Sequence, residues 1–249
     1  MTRPDGTPVN AVFGFTTMLM KLLRETDADH LAVIFDAARH TFRNDIYPAY
    51  KAQRPDPPEE LIPQFALIRD AVNAFNVACI ESPGYEADDL IATYSRLARE
   101  VGAEVTIVSS DKDLMQLIGE GVGMYDPVNN RMIGTDAVKD KFGVSPSQVI
   151  DVQALAGDPV DNVPGVPGIG VKTAAQLITE YGDLETLLAR ATEIKQPKRR
   201  QSLIDHAEAA RISKQLVTLR DDIAVPLPLT GLAKQAPDNQ ALKAFLQAQ

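Results

Sequence analysis

Gly84-Tyr85-Glu86-Ala87-Asp88-Asp89-Leu90-Ile91 sets three carboxylates at the head of an apolar-periodic segment. Ser109-Ser110-Asp111-Lys112-Asp113-Leu114 sets two more just past a short apolar run. Each group falls where the chain turns from a strand-like run to a helix-like one: Val77 to Ile80 precedes the first, Glu104 to Val108 the second. Acids crowded at such turns repel and raise one another's pKa unless a cation neutralises them. An all-oxygen donor set suits a hard divalent ion, magnesium or manganese. The pattern points to metal-dependent chemistry on phosphate esters.

Working outward, Leu31-Ala32-Val33-Ile34-Phe35 reads as a buried strand ending at Asp36, after a helix over Ala11 to Leu23. A helix is expected from Glu59 to Phe75, another from Glu86 to before Gly102, and a third from Lys112 to Ile118. Val122 to Tyr125 and Arg131 to Ile133 bracket Asn129-Asn130 as a hairpin. Strands alternating with helices imply an α/β fold with a mostly parallel sheet covered by helices. Ligands of such sheets sit at the carboxyl ends of the strands, where Asp36, Asp111 and Asp113 are expected. From Ser145 strands disappear. Helices are expected over Pro146 to Ala156, Val171 to Tyr181 with Gly182 as C-cap, Asp183 to Ala189 and Ala207 to Leu219. The implied divisions are 1–144 as the α/β core, 145–224 as a helical region and 225–249 as a connector.

At 249 residues the chain suits one α/β domain or one with a small appendage. No apolar run approaches the roughly 18 residues of a membrane span, and no signal peptide is visible, so a cytoplasmic protein without membrane contact is expected. The single cysteine, Cys79, excludes an internal disulfide and a cysteine-based zinc site, and His30, His40 and His206 lack ligand spacing. A net charge of −9 argues against nucleic acid only as a sum. Locally, Arg39, Arg43, Lys51 and Arg54 face only Asp45 and are interleaved with Phe42, Tyr47 and Tyr50, which suggests a basic arch over about 39–58. A second basic run is Lys195-Gln196-Pro197-Lys198-Arg199-Arg200, with a solvated loop as its plain reading.

Pro164-Gly165-Val166-Pro167-Gly168-Ile169-Gly170 opens a helix and so offers unpaired amides to an anion. A Walker loop fails because Val171 stands between Gly170 and Lys172-Thr173, and no strand precedes it. A Rossmann fingerprint fails because Thr173 replaces its third glycine. A helix–hairpin–helix fits better, its amides reaching a phosphodiester backbone with Lys172 adding charge. A tight structural turn between packed helices is the alternative.

Glu86-Ala87-Asp88-Asp89, Ser110-Asp111-Lys112-Asp113, Gly157-Asp158-Pro159-Val160-Asp161-Asn162 and the Pro164–Gly170 turn occur in order. With Phe35-Asp36-Ala37 and Tyr50-Lys51-Ala52-Gln53-Arg54-Pro55, they closely resemble the 5′-nuclease (flap endonuclease) family over nearly the whole chain. Within that family they are similar to the 5′→3′ exonuclease domains of bacterial DNA polymerase I. The resemblance implies a PIN-like α/β core, a helical arch and a helix–three-turn–helix element binding DNA with K+. It implies two divalent ions, Mg2+ or Mn2+: Asp36, Glu86 and Asp88 at the first, Asp111, Asp113 and Asp161 at the second, with Asp89 and Asp158 holding metal-bound water. Arg43, Lys51 and Arg54 match the bases that grip the scissile phosphate, and Gly165, Val166, Gly168, Ile169, Gly170 and Lys172 match the DNA-binding turn. The activity the resemblance implies is hydrolysis of DNA at 5′ ends or flaps in replication and repair, by a monomer fused to or derived from a DNA polymerase.

The opening Met1 to Pro8 resembles the loop that, in this family, follows a strand bearing a first metal-site aspartate and a Tyr- and Arg-bearing helix. Asp5 lies in that loop and does not replace the ligand. The expectation is a shortened reading frame with open sheet edges, a first metal site one acid short, weakened stability and reduced or no cleavage. Two other readings follow: a structure-selective DNA-binding fragment that cannot cut, and a PIN-type ribonuclease, which does not ordinarily carry the Gly165–Gly170 turn.

Overall fold

A computed structural model describes residues 1–248. In chain order the elements are α1 (Asn10–Glu25), β1 (Ala32–Ile34), α2 (Phe42–Ile46), α3 (Ile62–Ala74), β2 (Ala78–Ile80), α4 (Ala87–Glu100), β3 (Val105–Val108), β4 (Val122–Asp126) and β5 (Arg131–Ile133). They continue as α5 (Thr135–Phe142), α6 (Val149–Ala156), α7 (Val171–Tyr181), α8 (Leu184–Ala189), α9 (Pro197–Asp205), α10 (Ala207–Val217) and α11 (Asn239–Ala248). The chain packs as two compact units: Met1–Ala37 with Pro55–Pro83 and Ala224–Gln249, and Ala38–Arg54 with Gly84–Ile223. Among the described residues no helix is long and apolar enough to cross a membrane.

In the first unit, Val12, Thr16 and Leu19 form the buried stripe of α1, which packs on α3. Val9 gives α1 no side-chain cap, and Gln64 of α3 supplies one from outside: its Oε1 accepts from the amides of Ala11 (2.7 Å) and Val12 (3.2 Å). β1 and β2 pair in parallel, Val33 opposite Cys79, over a core of Leu19, Val72, Phe75 and Val77. The expected connector returns to this unit. The Leu31 amide donates to the Leu232 carbonyl (2.9 Å), the Lys234 amide to that of Asp29 (2.7 Å), and α11 packs on α3. Lys234 Nζ donates to the Leu23 and Thr26 carbonyls, satisfying the end of α1.

The second unit holds β3 and β4 in parallel and β5 antiparallel to β4. The strands form two sheets, of two and three strands, and every pairing of these strands except β4–β5 is parallel, as the mostly parallel α/β reading expects. The hairpin turns at Asn130 with φ 50°. Leu155, Ile178, Leu184, Leu187 and Leu203 are fully buried, each contributing about 1.5–3 kcal/mol by leaving water.

Three local expectations need correction. Lys112–Leu117 is a 3-10 helix rather than an α-helix, begun by Asp111 accepting from the Asp113 amide. Pro146–Gln148 is likewise a 3-10 turn before α6. The basic run is no loop: Lys198 to Arg200 lie in α9, with Pro197 at a first-turn position that tolerates it.

Candidate active site

All the predicted acids except Asp36 lie in the second unit. Asp36 belongs to the first, exposed two residues beyond β1, where its carbonyl accepts from Arg69 Nη2 (3.2 Å). Asp5 accepts from the Thr7 amide in a local turn.

In the second unit the arch segment is stitched to the loop after α6. The Lys51 amide donates to the Asp161 carbonyl (2.9 Å), Asn162 Nδ2 to the Ala49 carbonyl (2.7 Å), and Gln53 Nε2 to those of Pro159 and Val160. Lys51 is held at φ 55°, a sparsely populated backbone conformation that costs about 1–3 kcal/mol. Its ammonium bridges Glu86 (2.9 Å) and Asp161 (3.8 Å), and Arg54 pairs with Asp161. Glu86 stands at the N-cap of α4, where acids suit the helix dipole. Burial, then the Glu86 charge, pushes the Tyr50 phenol far above its usual range, and its hydroxyl donates to Glu86 (3.3 Å). Burial works against the Arg54 charge, but Asp161 outweighs it, and the net shift is upward.

Asp158, Asp113 and Asp111 form a second group around Lys112. Lys112 pairs with Asp158, whose Oδ1 accepts from the Val160 (2.8 Å) and Asp161 (3.4 Å) amides. Burial opposes the charge on both partners of that pair. Their mutual hydrogen bond prevails, so Asp158 is lowered and Lys112 raised. Asp113 moves the other way: burial and then the charge of Asp111 raise it, against a hydrogen bond from Gln153 Nε2. Asp88 is half-buried in the first turn of α4.

Glu86, Asp161, Asp158 and Asp113 are thus brought into one neighbourhood, threaded by Lys51 and Lys112. Among the described residues no group of three or more His, Cys, Asp or Glu side chains is arranged to hold a metal ion. The donor chemistry nevertheless fits a hard cation: the carboxylates are oxygen-only, and Asp113 is raised first by burial and then by the charge of Asp111.

Two predicted site residues have other work. Arg43, 1% exposed, directs Nη1 and Nη2 to Asp89 Oδ2 and Oδ1 (2.7 Å each) and Nε to the Leu216 carbonyl (2.7 Å). Burial disfavours its charge, but Asp89 and then Glu86 more than restore it, so its pKa rises. Asp89, fully buried, also accepts from the Glu86 and Arg220 amides. Arg43 has no solvent-facing donor for a phosphate, and Asp89 is committed to Arg43 and α4. Both are corrected from phosphate grip and water ligand to an internal brace.

The glycine turn is also divided. Gly165 approaches Gly157 so closely that a Cβ on it would stand 2.5 Å from the Gly157 nitrogen. The Gly165 amide donates to Ser213 Oγ (2.9 Å), that of Val166 to the Leu155 carbonyl (2.8 Å) and that of Ile169 to the Val166 carbonyl (3.0 Å). These three amides are consumed inside the protein and are withdrawn as DNA contacts. Gly168, Gly170 and Lys172 are exposed at the start of α7, whose N-cap brings no side chain. Sequence reasoning assigned no role to Tyr50, Lys112, Gln153 or Ser213. Lys112 between two acids and Gln153 inside Val149-Ile150-Asp151-Val152-Gln153-Ala154-Leu155 were the available signals.

Residues 1–143 match the 5′–3′ exonuclease N-terminal resolvase-like domain, and residues 144–240 the C-terminal SAM fold of the same enzyme family. DNA polymerase I of Rhizobium leguminosarum is 56% identical over 252 residues, covering 98% of this chain and 25% of its own length. The chain therefore spans about a quarter of that relative. A 5′–3′ exonuclease of Aquifex aeolicus is 38% identical over 247 residues, covering 99% of this chain and 84% of its own length. Among solved structures, the T5 D15 protein co-crystallised with metal ions has a TM-score of 0.77 at 24% identity, over 97% of this chain and 93% of that one. The catalytic core of Rad2 in complex with DNA substrate has a TM-score of 0.64 at 15% identity, over all of this chain and 82% of that one. These two establish likeness of fold. By both matched domains and by its relatives, the chain belongs to the 5′–3′ exonuclease family.

Proposed function

We propose that this chain is a divalent-metal-dependent nuclease that hydrolyses DNA phosphodiester bonds from 5′ ends and at 5′ flaps, in replication and repair. The observation that carries the reading is the clamping of the basic arch segment 49–54 onto the Asp158–Asp161 loop, with Lys51 set between Glu86 and Asp161. Basic and acidic groups are thereby held where a phosphodiester needs both. Following the family pattern, Glu86 and Asp88 would help hold one ion and Asp111, Asp113 and Asp161 the other, with Mg2+ or Mn2+ in both places and K+ at the glycine turn. When bound, the ions supply the Lewis acidity that hydrolysis of an anionic ester requires.

The chain's own residues do the rest. Lys51 and Arg54 exchange their carboxylate partners for the phosphate as charge develops on it, a preorganised electrostatic grip. Arg43 and Asp89 fix the base of the arch to α4, and Asp158 with Lys112 fixes the loop that carries Asp161. Gly168, Gly170 and Lys172 hold the phosphate backbone away from the cut. The relationship to a 5′–3′ exonuclease matching 99% of this chain favours cleavage over the binding-only alternative. We propose a cytoplasmic monomer, joined to a polymerase in the longer relatives' arrangement.

A labelled 5′-flap duplex and a single-stranded RNA, each with Mg2+ and then with chelator, test the reading. Cleavage of the flap alone, abolished by chelator and reduced about 100-fold or more in Lys51→Ala, is expected. Retention of the flap without cleavage at any Mg2+ or Mn2+ concentration refutes it, and preferential RNA cleavage transfers the site to a ribonuclease.

A further inference from the structure

The second basic run lies beside the glycine turn. Ser202 Oγ of α9 donates to the Pro167 carbonyl (2.7 Å), inside the turn itself. Leu203 is the one buried side chain of α9, so it fixes the helix's rotation with Ser202 against the turn. Lys198 and Arg199, four and three residues earlier, lie on the Ser202 side of the helix, one turn nearer its start. Lys195 comes just before.

The pairing of cations in 145–223 sets this run apart. Arg190, Arg211, Lys214 and Arg220 are each ion-paired, with Glu193, Glu185, Asp151 and Asp222. Among the described residues, the side chains of Lys195, Lys198 and Arg199 have no hydrogen bond or ion pair, and neither does that of Lys172 in α7. From Lys195 to Ile204 the sequence carries four cations and no acid, in a chain of net charge −9. A cluster of uncompensated cations on such a chain is maintained against the general trend, and its complement is a polyanion. The helical stretch from Lys198 to Ser202 spans about 6 Å, close to two nucleotides at about 3.4 Å per phosphate along one strand, with Lys195 just ahead of the helix.

We propose that Lys195, Lys198 and Arg199 extend the glycine turn into a second line of phosphodiester contacts, which holds the duplex portion of a DNA substrate away from the bond that is cut. This rests on the nuclease reading for the identity of the polyanion. It adds that substrate selection for a duplex arm is carried by α9 and is separable from catalysis. The binding is electrostatic, with no sequence preference.

The test uses the full chain and its Lys195→Gln/Lys198→Gln/Arg199→Gln variant. A control variant, Arg99→Gln/Lys139→Gln/Lys141→Gln, removes three exposed cations elsewhere. Affinity for a fluorescent 5′-flap duplex is measured by anisotropy in chelator across salt concentrations, so no cleavage is needed for the readout. Loss of three phosphate contacts lowers the slope of log affinity against log salt by about 2.7 and, with the two lines converging near 1 M salt, weakens duplex binding by about 500-fold near 0.1 M salt. Binding of the single-stranded flap oligonucleotide stays unchanged, and so does the rate at saturating duplex with Mg2+. An unchanged salt slope, or an equal change in the control variant, overturns the proposal. If the slope changes while neither protein cleaves DNA, the α9 contact stands and the nuclease reading falls. If the parent cleaves and the slope does not change, the reverse holds.

Discussion

Arg43→Met removes one half of a buried ion pair and leaves the other half in place. Arg43 supplies two hydrogen bonds of 2.7 Å to Asp89, one of 2.7 Å to the Leu216 carbonyl and a longer one of 3.3 Å to Thr218. Methionine fills much of the same space, so packing loss is small and the stranded carboxylate dominates. Deleting one member of a buried pair costs about 3–5 kcal/mol. Asp89 keeps the Glu86 (3.0 Å) and Arg220 (2.9 Å) amides, which places the expectation near the lower end, about 3 kcal/mol. With a urea m-value of about 3 kcal/mol/M, the unfolding midpoint falls by about 1 M. The companion Arg43→Met/Asp89→Asn variant removes the stranded charge and should recover part of that loss, a coupling of about 1–3 kcal/mol in the double-mutant cycle. Circular dichroism in urea measures both. Two results refute the reasoning: a midpoint shift equivalent to less than about 1 kcal/mol, or a 100-fold loss of cleavage per folded molecule with no shift at all. The second would restore Arg43 to the phosphate.

Gly165→Ala meets the Gly157 backbone at 2.5 Å with φ at 61°, and should cost about 2–5 kcal/mol in denaturant. Gly168→Ala, at φ 81° with no atom within 4 Å, should cost only about 1–2 kcal/mol, and equal losses would refute the close-packing argument. Asp126 is held down to about 2 by Asn129 and Ser110, so its contribution is complete above the ordinary carboxylate value and disappears as pH falls through about 2. Asp126→Asn should lower the thermal midpoint at pH 7 and leave it unchanged below pH 2. Asp113 has the opposite sign: its folded pKa is raised, so its ionised form weakens the fold as pH rises through that value. Asp113→Asn should therefore raise the midpoint in chelator at pH 7 while abolishing Mg2+-dependent cleavage; a lowered midpoint counts against like-charge crowding.

How far the sequence could be read depended on how local each determinant was. Helices α1, α4 and α7 were legible because a one-sided apolar stripe and a terminal signal, such as Gly182 with φ 93° after α7, are written within one turn of each other. Helix α9 was not, because Leu203 alone is buried and a helix held by one apolar anchor shows no periodicity. The division into two sheets was also illegible, since strand pairing is a property of distant segments. The acids of the site were legible as types and not as partners. Asp89 and Asp88 are neighbours in one motif, yet only Asp89 faces Arg43, because helix geometry turns adjacent residues by about 100°. Likewise Gly165 and Gly168 look alike in sequence, and only the structure separates a glycine that faces another backbone from one that faces solvent.

The same distinction bears on how the site works. Lys51 is fixed twice, by different atoms: its amide to the Asp161 carbonyl, and its ammonium to the Glu86 and Asp161 carboxylates. The amide bond and the Asn162–Ala49 bond set the backbone of the arch segment whatever the side chain does. In the proposed reaction, the ammonium would move from carboxylate to phosphate by rotamer changes alone, with no loop to reorder. A charge preplaced and redirected in this way would stabilise the transition state without the entropic cost of assembling an arch around each substrate. The unfavourable φ of Lys51 belongs to the same arrangement: it is the backbone conformation in which one residue donates its amide to the acid loop while its side chain sits between the Glu86 and Asp161 carboxylates.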